Sequence, residues 1–193
     1  MPAWSWLVIA VVAVIVVALI VVVARSASRR KRTERLKDHF GPEYDRAVGD
    51  TGDQGAAEKE LVARERKRQK LDIVVLGPKS RANYAEHWRT VQTAFVDNPS
   101  KAVGDADRLV TQVMRERGYP IDDFDQRVSD ISVDHPNVVE HYRAAHIIHL
   151  AQEKGDIGTE AQREAFVHYR ALFEKLLETE HKTEKDTPKE ARA

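Results

Sequence analysis

Eighteen consecutive apolar residues, Leu7 to Ala24, constrain this chain more than any other feature. As a helix they span about 27 Å, and Trp4, Ser5 and Trp6 extend this to about 31 Å, the hydrocarbon thickness of a bilayer. The run holds nine Val, three Ile, two Leu and four Ala. Each branched aliphatic favours insertion by about 0.3 to 0.6 kcal/mol, so the sum is several kcal/mol. A strand of this length is outside the usual range and would leave its backbone unpaired in lipid. The run therefore predicts a transmembrane helix over 7–24, with Trp4 and Trp6 in the interfacial aromatic belt.

Flanking charge gives the orientation. Residues 1–6 carry no Lys or Arg, whereas 25–35 carry Arg25, Arg29, Arg30, Lys31, Arg32 and Arg35 against Glu34. Positive charge stays on the cytoplasmic side, which predicts a single-pass plasma-membrane protein with its N-terminus outside and its C-terminal domain in the cytoplasm. A cleaved signal peptide is the competing reading, with Val22 and Ala24 as a small-residue cleavage site. Such a peptide needs a basic segment before a shorter core, and here the charge follows a longer one. The pattern fits an uncleaved signal-anchor. Trp4, Trp6, Arg25, Arg29, Arg30, Lys31 and Arg32 are the expected membrane-interface residues, the cations facing anionic lipid headgroups at about 1 kcal/mol each.

The 169 residues after Ala24 can bury one core. Zero net charge hides an asymmetry: residues 36–193 hold 25 Lys and Arg against 30 Asp and Glu. An acidic domain argues against nucleic acid as a partner, because phosphate binding needs a basic face. The chain has no cysteine, which excludes disulfides, thiolate metal sites and a cysteine nucleophile.

Residues 36–77 read as a charged helical spacer. Phe40, Tyr44 and Val48 recur at i, i+4, i+8 across Gly41 and Pro42, and residues 50–55 form a break. From Ala56 to Leu71 the charges lie all round, with no continuous apolar stripe, which predicts a solvated helix of about 24 Å. Residues 71–76 are apolar and end at Gly77-Pro78. With no second strand pattern to pair with, they read as an extended segment packed on helices.

Residues 78–177 predict a bundle of about five amphipathic helices, making the fold all-α. Helices over about 79–96 and 99–117 turn Tyr84, Trp88, Val91 and Phe95, then Val103, Ala106, Val110 and Val113, inward. Asn98-Pro99 caps the second and Gly118 ends it. A short third helix carries Phe124, Val128 and Ile131. A fourth, 136–153, starts at Asp134-His135-Pro136 and buries Val139, Tyr142, His146, His149 and Leu150. Thr159 and Gln162 form a capping box for the fifth, 160–178, which buries Phe166, Tyr169, Phe173 and Leu176. Residues 178–193 are charged, aperiodic and read as a disordered tail.

No catalytic signature stands out. His135, His141, His146 and His149 lie close in sequence, near Asp130 and Asp134, and neutral imidazole is a common metal ligand. No His-Glu-x-x-His occurs, and the one Glu-x-x-His, Glu178 to His181, lies in the tail, so no metal or cofactor is expected. Asp122, Asp123 and Asp125 lack the calcium-loop pattern and suit helix capping. No serine sits in a Gly-x-Ser-x-Gly setting. Tyr119, Asp134, His135, Tyr142, Arg143, His146 and His149 remain candidates for a partner or ligand groove.

The strings FGPEYDR (40–46), ERKRQKLDI (65–73), FVDNP (95–99), RERGYP (115–120) and SVDHPNVVE (132–140), with YRAAH (142–146), resemble a family of bacterial, often actinobacterial, single-pass membrane proteins. The resemblance covers about residues 36–177. It implies an anchored cytoplasmic helical domain and carries over no catalytic residue. The leading expectation is a noncatalytic, membrane-tethered interaction or scaffold domain, with a protein partner or its own copy. The alternatives are a membrane-bound enzyme or metal-binding protein using residues 130–149, and a sensor of anionic lipid surfaces.

Overall fold

Glycine, proline and capping residues divide the described chain into eight helices. The computed structural model describes residues 3–155 and 157–178, with the side chains of 3, 5–15 and 18 outside that description. The helices are α1 (Ala3–Phe40), α2 (Pro42–Thr51), α3 (Gln54–Arg68), α4 (Pro78–Asp97), α5 (Pro99–Arg117), α6 (Phe124–Asp134), α7 (Val139–Lys154) and α8 (Thr159–Leu177). The fold is all-α, with no strand among the described residues. It forms two compact units, Met1–Arg66 and Lys67–Ala193.

The expected transmembrane span, 7–24, falls largely on residues whose side chains lie outside the description, as does the expected interfacial Trp6. Among the described residues, no helix is long and apolar enough to cross a membrane. The described part of the run is nonetheless bare. Val16, Val17, Leu19, Ile20, Val21, Val22 and Val23 of α1 are all exposed, as is Trp4.

In the first unit, Gly41 (φ 50) ends α1 and Pro42 opens α2. Gly52 (φ 67) closes α2, and the Asp53 carboxylate caps α3 by accepting from Ala56 N–H at 2.6 Å. Leu36, Phe40, Tyr44, Ala47, Ala57 and Leu61 are buried, together with Glu43 and Glu58. Residues 54–68 thus differ from the solvated spacer expected of them. Their buried face, Ala57, Glu58 and Leu61, escapes an apolar-stripe reading because its middle residue is a carboxylate. That carboxylate is tolerated because one oxygen accepts three hydrogen bonds and the other faces Arg32. Arg64 Nη1 likewise donates to buried Glu43 at 2.7 Å, and Arg35 grips Glu65 with two bonds of 2.8 and 2.9 Å.

The second unit follows the expected five-helix pattern closely. Helix α5 packs against α4, α7 and α8, and buries Ala102, Val103, Ala106, Leu109, Val110, Val113 and Met114. The Trp88 ring stacks on Phe166 and Phe173, at 5.0 and 4.6 Å between centroids. Asn98 and Asp123 cap α5 and α6 through the N–H groups of Lys101 and Gln126. Two helix starts move. Gly158, not Thr159, occupies the cap of α8, so the Thr159 hydroxyl comes one residue too late to cap. Helix α7 begins at Val139, because Asp134 belongs to the end of α6 and spends its carboxylate elsewhere. Leu150, expected inward, is exposed.

Residues 72–77 are neither helix nor strand, and part of the 71–76 segment expected to pack on helices lies against α5. Val74 N–H donates to Arg117 O at 2.9 Å, and Leu76 is buried. Gly118 (φ 93) ends α5 and lets this segment come close: a Cβ there would sit 2.4 Å from Asp72 O.

Candidate functional site

The seven residues singled out for a groove separate into three places. Tyr119, Asp134 and His135 converge in the second unit, joined by Arg68 and Arg117. Gly118 turns the chain so that Tyr119 faces the end of α6. There Asp134 Oδ2 accepts from Tyr119 Oη and from Arg68 Nε, each at 2.5 Å. Arg117 is almost fully buried. Its Nε donates to Val74 O at 3.2 Å and its Nη1 to Leu176 O at 3.1 Å. The same Nη1 lies 3.4 Å from His135 Nε2, which therefore acts as acceptor. One guanidinium thus ties the 72–77 segment to the ends of α6 and α8.

Burial and the neighbouring Arg117 cation push the His135 pKa down to about 4. Burial and the Asp134 charge push the Tyr119 phenol up. These residues hold the fold: their polar atoms point at one another. A general base must instead reach a substrate's proton.

Tyr142, His146 and His149 lie at i, i+4, i+7 along α7. Phe124 of α6 stacks on His146 at 3.6 Å between centroids, and Arg127 sits 5.7 Å from the Phe124 ring. Tyr169 Oη donates to Asp107 on α5 at 2.9 Å. Burial raises the Tyr142 phenol to about 12 and lowers the His146 imidazole. Arg143 pairs with Glu140, one turn earlier on α7. His141 meets His168 of α8, Nδ1 to Nδ1 at 2.8 Å, a pairing hidden by 27 residues of separation. Among the described residues, no three His, Cys, Asp or Glu side chains are arranged to hold a metal ion.

The first unit holds an open cleft of about 440 Å³, lined by Arg29, Arg32 and Thr33 of α1 and Gln54, Gly55 and Glu58 of α3. Glu58 Oε1 accepts from Thr33 at 2.5 Å, Gln54 at 3.0 Å and Tyr44 at 3.1 Å, while Oε2 faces Arg32 at 3.5 Å. Burial alone would raise this carboxyl, but the Thr33, Gln54 and Tyr44 bonds and the Arg32 charge outweigh it and hold Glu58 below its ordinary value. The sequence pointed to Arg29 and Arg32, but gave no signal for Thr33, Gln54, Gly55 or Glu58. Arg25, Arg30 and Lys31 lie on the exposed surface of α1.

No protein-family model, curated protein or solved structure matches this chain.

Proposed function

We propose that this chain is a noncatalytic interaction protein tethered to the plasma membrane by residues 7–24, with its N-terminus outside and its helical domain in the cytoplasm. One observation carries the reading: α1 leaves consecutive aliphatic side chains bare from Leu19 to Val23, each between 42 and 64% exposed. A helix apolar on every face requires either a protein core or lipid around it. The unbroken apolar run and the basic residues after it favour lipid and set the direction of insertion. The partner of the cytoplasmic part is a protein or a second copy.

Membrane fractionation tests the tether. The full chain is expected in the membrane pellet after a sodium carbonate wash, and a chain starting at Arg25 in the supernatant. Full-length protein released by carbonate would overturn the reading.

A further inference from the structure

We infer that the cleft between α1 and α3 binds one phosphate group, carried by an anionic lipid headgroup. This rests on the tethered reading, because that reading sets the depth of the cleft. Arg29 lies five residues beyond Ala24 on the continuous helix α1, about 7.5 Å along its axis. Thr33 lies about 13 Å beyond Ala24. The headgroup layer on each side of a bilayer is about 5–7 Å thick. Helical side chains lean toward the helix N-terminus, which brings Arg29 back toward the lipid, while Arg32 faces Glu58 within the cleft.

The charges also fit. Arg29 and Arg32 bring two positive charges and Glu58 one negative, leaving a net of one cation for a phosphodiester monoanion. Among the described residues Glu58 is the one acidic group lining the cleft, and Thr33, Gln54, Tyr44 and Arg32 already engage its two oxygens. Arg29 makes no ion pair among the described residues, and its guanidinium has the planar donor set that matches a phosphate. A volume of about 440 Å³ accommodates a glycerophosphate head. Of the six basic residues in 25–35, Arg29 and Arg32 line the cleft, whereas Arg35 also meets α3 but is held there by Glu65.

The test is native mass spectrometry of the full chain in mild nonionic detergent, with dioleoylphosphatidylglycerol or dioleoylphosphatidylcholine added. The expected result is a one-to-one adduct with the phosphatidylglycerol. It should weaken about fivefold in Arg29→Gln and persist in Lys59→Gln, an exposed cation of α3 outside the cleft lining. Equal adducts in the two variants, or no preference over phosphatidylcholine, would overturn the proposal. An added arm with inorganic phosphate separates the sources. Displacement of the lipid adduct at millimolar phosphate overturns the lipid source and leaves a free-phosphate site. Carbonate fractionation of Arg29→Gln keeps this test apart from the tether: a variant that stays in the pellet but loses the adduct supports both readings, whereas wild-type protein in the supernatant sinks the tether.

Discussion

Gly118→Ala is expected to lower the thermal midpoint of the helical domain by roughly 10 °C. Two penalties combine. The backbone there is left-handed at φ 93, which an L side chain adopts only under strain. The new Cβ would also lie 2.4 Å from the Asp72 carbonyl, a backbone atom that cannot rotate away. Strain and overpacking each cost about 1–3 kcal/mol, so about 4 kcal/mol together is reasonable. A chain of this size loses about 2–4 °C per kcal/mol. Gly104→Ala, on the same helix, is the contrast. Its Cβ meets only the Arg108 side chain at 3.5 Å and His149 at 3.9 Å. Removing a helix-interior glycine there should stabilise by about 0.5–1 kcal/mol. Circular-dichroism melts of the two variants in detergent check this. Similar midpoints would mean that residues 72–77 do not lie against the end of α5.

The second large effect is acid sensitivity through His135. The folded state holds this imidazole neutral, with its pKa lowered from 6.5 to about 4 by burial and by Arg117. The unfolded chain therefore binds the extra proton between these values. Stability rises with pH wherever the unfolded state binds more protons. The contribution is thus complete above pH 6.5 and is lost as pH falls toward 4. At 1.36 kcal/mol per pKa unit the full loss is about 3 kcal/mol. His146 and His168 are also lowered, chiefly by burial, and act in the same direction. His135→Gln keeps an acceptor for Arg117 and removes the titration. Its stability, from urea unfolding between pH 7 and 4.5, should fall less steeply than that of the parent by nearly one proton. Parallel curves would show that His135 is not held neutral.

Much of the helical domain was legible in the sequence because its punctuation is local. Asn98-Pro99, Gly118 and Asp123 each act on neighbouring backbone, the spacings of α5 and α8 match what is buried, and of the α4 stripe Trp88 is buried while Tyr84, Val91 and Phe95 are partly buried against the core. Distance hid the rest. Asp134 looks like an N-cap until Arg68, 66 residues away, and Tyr119 claim its carboxylate. The buried face of α3 includes Glu58, whose partners Thr33 and Tyr44 lie 25 and 14 residues upstream. Periodicity counts apolar residues, so it misses a face built around a satisfied carboxylate. The cleft was invisible for the same reason: its walls come from two helices that only the fold brings together.

The central claim is that residues 7–24 cross the membrane once, with the basic segment inside. The chain contains no cysteine, so single cysteines can be introduced and labelled on intact cells with a membrane-impermeant maleimide. The account predicts that Ala3→Cys is labelled on intact cells and that Ser28→Cys reacts only after lysis. Labelling of Ser28→Cys on intact cells, or protection of Ala3→Cys until lysis, would contradict it.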